Sequence, residues 1–159
     1  MKKLFLFTCL SALALTFNSC SDDDNKSNET DGTTGTVTFK IDGVTKTYNT
    51  VTVDPDSSTS GGETYEWITI TASPEGSASE FITFEIEKNA VGVDAADYLE
   101  YFENNRTYSM NWDTFNINTL TNNEDKVKGT FAGPVTYWNN ETQTATDKTI
   151  TEGTFDINR

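Results

Sequence analysis

Apolar and polar residues alternate one by one through most of the chain after residue 36, and this period of two constrains the fold more than any other feature. Between Phe81 and Lys88, for example, Ile82, Phe84 and Ile86 are separated by single polar or charged residues. Successive side chains of a β-strand point to opposite faces of the sheet, so this spacing predicts strands buried on one face and solvated on the other. We therefore expect an all-β, antiparallel fold of seven to nine strands with at most one short helix, either a β-sandwich or a partly open β-barrel.

Turn signals divide the alternating segments. Asp42-Gly43 predicts a hairpin that pairs residues 36–41 with residues 44–53, because both central positions of a type I′ turn require a positive φ. The polar segments 54–62 and 73–80 predict loops.

One segment, Asp94 to Asn105, departs from the alternation and predicts a short helix. Asp94, with Asp97 three residues later, can cap the start of a helix, and Asn104-Asn105 would end it. The buried stripe of this helix would be Tyr98, Leu99 and Phe102.

An irregularity is expected in the last strand. Ile150 and Phe155 have opposite parity, which means that an odd number of positions separates them. A strand with a strict period of two would point them to opposite faces and could not bury both side chains. We predict a β-bulge near Glu152-Gly153, where glycine would accept the required backbone angles. Pro134 has no N–H group, so its position should face a sheet edge or another bulge.

Residues 1–19 have the composition of an export signal. Lys2 and Lys3 precede an apolar run from Leu4 to Leu15. As a helix this run would be about 18 Å long, well short of a hydrocarbon core of about 30 Å. It therefore predicts a signal peptide that is removed from the mature protein rather than a membrane span.

The residues around the end of this leader predict where the protein is located. Phe17-Asn18-Ser19-Cys20 resembles a lipobox, in which the cysteine thiol receives a diacylglyceryl group. The acidic run Ser21-Asp22-Asp23-Asp24 resembles the export signal of surface lipoproteins of Bacteroidetes-type bacteria. The resemblance implies a membrane partner through acyl chains such as palmitate on Cys20, in the outer membrane and exposed at the cell surface. A periplasm-facing anchor and free secretion after ordinary signal cleavage are the alternatives.

A small repeat near the carboxyl end carries a second resemblance. Gly129-Thr130-Phe131 and Gly153-Thr154-Phe155 are similar to the closing hairpin of small lipoproteins of the same bacterial group. This resemblance implies a β fold. It implies no activity, since no agreed activity belongs to that group.

Composition sets the remaining boundaries. Residues 20–35 hold the cysteine and then a polar, acidic segment without apolar side chains, which predicts a disordered tether. Residues 36–159 are expected to form a single β domain. The formal net charge of −14 at pH 7 repels phosphate backbones, so we expect no nucleic acid partner.

Several kinds of chemistry are excluded by residue type. The chain has no histidine, which rules out Ser-His-Asp and Cys-His catalysis and histidine zinc sites. The two cysteines are Cys9 in the leader and Cys20, so acylation of Cys20 would leave the domain without a thiol. We expect no cofactor and no enzymatic activity; a glycosidase that uses two carboxylates is the weaker alternative.

Asp54 and Asp56 are weak candidates for a metal site. They begin a segment with oxygen ligands at alternate positions, as in a calcium loop. However, Thr59 stands where such a loop needs glycine and Tyr65 where it needs a bidentate glutamate. A polar turn without a metal is the favoured interpretation.

Two tryptophans suggest binding of a glycan, with a surface protein as the other candidate partner. Trp67 lies opposite the apolar face of its strand, and so does Trp138 in a later strand. An exposed indole beside Asn139 and Glu141 can stack on a sugar ring while the polar groups bind its hydroxyls. The alternative is that both indoles cover the core or a sheet edge.

Overall fold

The computed structural model describes residues 32–159, which form ten β-strands and no helix. Cys20, the leader and most of the predicted tether lie outside the described residues. The strands are β1 (Thr34–Ile41), β2 (Val44–Tyr48), β3 (Thr50–Ser60), β4 (Glu63–Ser73), β5 (Glu80–Glu87), β6 (Ala96–Glu103), β7 (Arg106–Met110), β8 (Asn116–Asn122), β9 (Lys126–Asn139) and β10 (Thr144–Asn158). Among residues 32–159 there is no helix with the length and apolarity to cross a membrane.

All ten strands belong to one antiparallel sheet in the order β2-β1-β10-β9-β7-β6-β5-β4-β3, with β8 also paired to β9. The all-β, antiparallel prediction is confirmed. The two end strands, β2 and β3, are not paired with each other, so the sheet is not closed and fits a β-sandwich or an open barrel.

The inward faces of the strands form one apolar core, as the alternation predicted. In β5, Ile82, Phe84 and Ile86 are buried, and the β9–β10 pair contributes residues from both sides of the bulge. The largest fully buried side chains are Tyr48, Tyr101, Phe39, Phe84, Phe155, Ile68, Ile70, Ile82, Ile86, Leu99, Ile150 and Ile157.

The predicted hairpin at Asp42-Gly43 is confirmed, with φ angles of 50° and 82° at the two turn residues. β1 and β2 pair from Val37 opposite Tyr48 to Ile41 opposite Val44. The expected strand 44–53, however, is divided at Asn49. Its first part pairs with β1, and its second part begins β3 at the other end of the sheet.

The prediction of a loop over residues 54–62 is wrong. β3 continues to Ser60 and pairs with β4 along its whole length, and only Gly61-Gly62 forms the turn, with φ angles of 65° and 90°. Its last residues are exposed because β3 is an end strand, so the polar composition indicated a loop where a solvated edge strand exists.

The prediction of a helix from Asp94 to Asn105 is also wrong. Residues 96–103 form β6, and Asn104-Asn105 makes a two-residue hairpin turn with φ angles of 53° and 60°. Leu99 and Tyr101 are buried at a spacing of two, as a strand requires.

The predicted bulge near Glu152-Gly153 is confirmed, since the β9–β10 register shifts between Ile150 and Gly153. The positive φ of 54° falls on Glu152, however, and not on the glycine. Pro134 lies where β9 changes partner, between Ala132, which pairs with β8, and Val135, which pairs with β7. This gap agrees with the expectation that Pro134 faces an edge.

Candidate functional site

The weak metal candidates Asp54 and Asp56 lie on β3 and not in a loop. Both are exposed, and their partners across the strand pair are Thr69 and Trp67. In the part of the chain that the structure describes, no group of three acidic, cysteine or histidine residues is placed to hold a metal ion. Among the described residues, neither aspartate therefore belongs to such a group.

Trp138, Asn139 and Glu141 lie together at the end of the β9–β10 hairpin. Trp138 is 51% exposed. The side-chain oxygen of Asn139 accepts hydrogen bonds from the backbone N–H groups of Glu141 (2.9 Å) and Thr142 (3.1 Å). Asn139 thus holds the turn, and Trp138 does not belong to the lining of the two clefts described below.

Trp67, by contrast, lines a cleft of about 330 Å³, which we call the Trp67 cleft. Strand pairing brings Glu87 into the wall, because Trp67 of β4 lies opposite Glu87 of β5. Trp67 and Trp138 are not brought together, since β7, β6 and β5 lie between their strands. The lining residues are Thr64, Tyr65, Glu66, Trp67, Glu87, Lys88 and Asp97.

The one cation in the described lining of the Trp67 cleft, Lys88, is paired with a carboxylate. Lys88 Nζ lies 3.0 Å from Glu66 Oε1, and the Lys88 N–H donates to the Glu66 carbonyl oxygen at 2.9 Å. Glu87 and Asp97 add two further carboxylates to the lining. The cleft therefore combines an indole and an exposed tyrosine with an excess of carboxylates.

A second cleft, of about 280 Å³, has Trp112 in its wall, and we call it the Trp112 cleft. It lies where β9 changes partner from β8 to β7, which leaves room for the connecting segment 111–115. Its lining residues are Val93, Asp94, Ala96, Asp97, Met110, Trp112, Phe115 and Ile117.

Hydrogen bonds within the segment 111–115 hold Trp112 at this position. The Asn111 carbonyl accepts from the N–H groups of Thr114 (3.1 Å) and Phe115 (2.9 Å), and the Asn111 side chain accepts from Asp113 N–H (3.0 Å). Trp112 itself stays 64% exposed. The indole is therefore presented to solvent on a fixed turn.

Asp97 lines both clefts and joins them into one surface, the aromatic groove. It is the extra residue of a bulge in β6, because Ala96 pairs with Ile86 while Tyr98 pairs with the adjacent Glu85. Bulges redirect a side chain out of the ladder and are frequent beside functional sites. Here the redirected carboxylate lies between Trp67 and Trp112.

The field around the groove is negative. Burial raises the pKa of Glu85, and the nearby charges of Asp56 and Asp97 raise it further. Four carboxylates line the groove, namely Glu66, Glu87, Asp94 and Asp97. Such a groove attracts cations and hydroxyl donors and repels anions.

A different group of charges, the polar network, closes one end of the core away from the groove. Its members are Lys46, Tyr48, Glu80, Tyr101, Glu103 and Lys148. Glu80 Oε1 accepts from Lys46 Nζ at 2.6 Å and from Tyr48 Oη at 2.6 Å. Tyr101 Oη lies 3.0 Å from Glu80 Oε1 and 2.9 Å from Glu103 Oε1.

Tyr101 Oη lies within hydrogen-bond distance of both glutamates of the network, and the pKa of each glutamate is lowered. Burial alone would raise the pKa of Glu80, but hydrogen bonds from Lys46, Tyr48 and Tyr101 outweigh it and hold the pKa below the usual range. Glu103 is likewise lowered, because Lys148 and Tyr101 outweigh its burial. Both side chains are ionised at neutral pH, so neither can act as a general acid.

Comparison of the chain with protein-family models, curated proteins and solved structures returns no match. The proposals on function therefore rest on the sequence of the chain and on the geometry and chemistry of residues 32–159.

Sequence reasoning singled out Trp67 but missed the rest of the groove. Tyr65 has the same parity as Trp67, and that shared parity was the available signal for it. Trp112 continues the alternation of Tyr108 and Met110 in the sequence, which is typical of a strand face, whereas β7 ends at Met110. The sequence around Asp97 indicated only the start of a helix, and nothing in it marked this residue as part of a binding surface.

Proposed function

We propose that the protein is a membrane-anchored extracytoplasmic lipoprotein that acts as a non-catalytic binding module, with a glycan as the ligand of the Trp67 cleft. The observation that carries the glycan proposal is the placement of Tyr65 and Trp67 beside Glu87 and Asp97 in one concave surface. Aromatic faces stack on the C–H faces of sugar rings, and carboxylates accept hydrogen bonds from sugar hydroxyls.

The strand pairing around the cleft favours binding of a ligand. The cleft is built on β4, β5 and β6, which are paired with one another, so its walls are preorganised by the sheet. The alternative, that Trp67 covers a sheet edge, is less well supported, since Trp67 lies on β4 between two other strands.

Replacing Trp67 with alanine should weaken glycan binding at least tenfold, a loss of about 1.4 kcal/mol. An array of linear neutral, amine-bearing and anionic oligosaccharides would identify a ligand, and tryptophan fluorescence and calorimetry would measure its affinity. Trp138→Ala is the matched control, because Trp138 is an exposed indole outside the groove. Absence of binding to every glycan, or an equal loss in the control, would refute glycan binding by this cleft.

The location is tested separately. Cys20→Ala should release the protein from the membrane fraction into the soluble fraction, because the acyl chains have no other attachment point. Fractionation and immunoblotting would measure this, with Cys9→Ala as the control that stays membrane-bound. Membrane association of the Cys20→Ala variant would contradict the lipoprotein proposal.

A further inference from the structure

We infer that the ligand of the aromatic groove is a linear glycan without anionic groups, which crosses Asp97 and occupies the Trp67 and Trp112 clefts together. The inference rests on the proposed function and names its ligand class. Its starting point is the shared lining residue: Asp97 belongs to the walls of both clefts, so the clefts meet at this carboxylate.

Each cleft offers its own stacking surface. On one side Tyr65 is 53% exposed beside Trp67, and on the other Trp112 is 64% exposed above the partly buried Met110 and Phe115. Two aromatic platforms on either side of a hydrogen-bond acceptor suit successive sugar rings of one chain, each ring stacking on its own platform. A single monosaccharide would leave one platform unused.

The hydrogen-bonding capacity of the groove determines the charge of the ligand. Carboxylates are hydrogen-bond acceptors, and three besides the Lys88-paired Glu66 line the groove, namely Glu87, Asp94 and Asp97. Lys88, which could have paired with an anion, is held by Glu66. The ligand must therefore supply the donors, as sugar hydroxyls or ammonium groups do, while uronate and sulfate groups would meet carboxylates without a free cation nearby.

The bulge at Asp97 gives this position a specific role. Asp97 has no pairing partner on β5, because Ala96 and Tyr98 pair with the adjacent residues Ile86 and Glu85. Without this extra residue the two clefts would share no hydrogen-bond acceptor. A side chain that emerges from a bulge between two platforms is suited to contact the linkage region of a bound chain.

The test compares the affinity of the full-length protein for oligosaccharides of different length and different charge. Calorimetry would measure disaccharides and hexasaccharides of the neutral glycan selected on the array, a chitosan hexasaccharide, and a polyuronate hexasaccharide. We expect the neutral hexasaccharide to bind at least tenfold tighter than its disaccharide, and the polyuronate at least tenfold weaker than the neutral hexasaccharide.

Variants test whether the Trp112 cleft causes the gain in affinity with chain length and whether Asp97 causes the preference for neutral chains. Trp112→Ala should remove the gain from disaccharide to hexasaccharide, Asp97→Asn should narrow the gap between neutral and anionic chains, and Trp138→Ala should change neither. Trp112 and Asp97 are exposed, so both substitutions leave the core intact. Equal affinity for short and long chains, or for neutral and anionic ones, would overturn this inference and leave the proposed function standing. Lack of binding to any glycan would overturn both.

Discussion

Substituting alanine for Gly153 should lower the free energy of unfolding by about 3 kcal/mol. Gly153 is buried in the bulge of β10, opposite Phe131 of β9. A Cβ atom there would overlap the Phe131 carbonyl oxygen and stand 2.6 Å from Cδ2 of the same residue. Neither neighbour can retreat cheaply, because the oxygen belongs to the paired backbone of β9 and the ring is packed in the core.

Urea denaturation would measure this effect as a fall in the transition midpoint with an unchanged slope. Gly32→Ala is the matched control, since nothing lies within 4 Å of a Cβ built at Gly32. The control should stay within about 0.5 kcal/mol of the unmodified protein. A similarly small effect of Gly153→Ala would show that the close approach of β9 and β10 does not require glycine.

The bulge also shows how far parity carries a prediction. The opposite parity of Ile150 and Phe155 requires one extra residue between them, and both side chains are indeed buried. Parity does not say which residue takes which backbone angle. Glu152 adopts the positive φ, and Gly153 is needed for space, which depends on the distance to Phe131.

The wrong helix has a different cause. Of its predicted buried stripe, only Leu99 is fully buried, whereas Tyr98 and Phe102 are partly buried on the opposite face of β6. Phe102 stacks there on Phe81 of β5, with ring centroids 4.8 Å apart. Apolar residues on both faces of a strand can stand three positions apart, and this spacing imitates helical periodicity. The pairing of Tyr101 with Tyr108 on the next strand decides in favour of the strand, and that pairing is not visible in a local pattern.

The candidate site could be predicted only in part for the same reason. Trp67 was found because its parity sets it opposite Ile68 and Ile70 within a single strand. Trp112 and Asp97 join it only through the change of partner along β9 and the bulge in β6. Contacts between distant segments create the groove, so no segment taken alone carries its signal.

The polar network should make the domain lose stability at both ends of the pH range. The folded pKa values of Glu80 and Glu103 lie below the ordinary value of 4.5. Their contribution to stability is therefore complete above pH 4.5 and is lost as the pH falls through the lowered values.

At the alkaline end, burial raises the pKa of Tyr48 and Tyr101 above 10.0, and the neighbouring glutamates raise it further. The unfolded chain then releases these protons first, so stability falls above about pH 10.

Thermal unfolding between pH 3 and pH 11 would measure the loss of stability at acid pH (the acid limb) and at alkaline pH (the alkaline limb). Substitutions distinguish the contribution of the polar network from that of other charged groups. Glu80→Gln with Glu103→Gln should flatten the acid limb, and at pH 7 it should cost about 3 kcal/mol because it leaves half-buried Lys46 and Lys148 without their partners. Asp156→Asn is the control: its lowered pKa arises from Lys126 and Lys128 on the exposed surface, where solvent and salt screen the charges. The contribution of Asp156 should disappear in 0.5 M salt, whereas the partly buried network should retain most of its effect. An acid limb that is unchanged in the double variant would show that the network does not control stability.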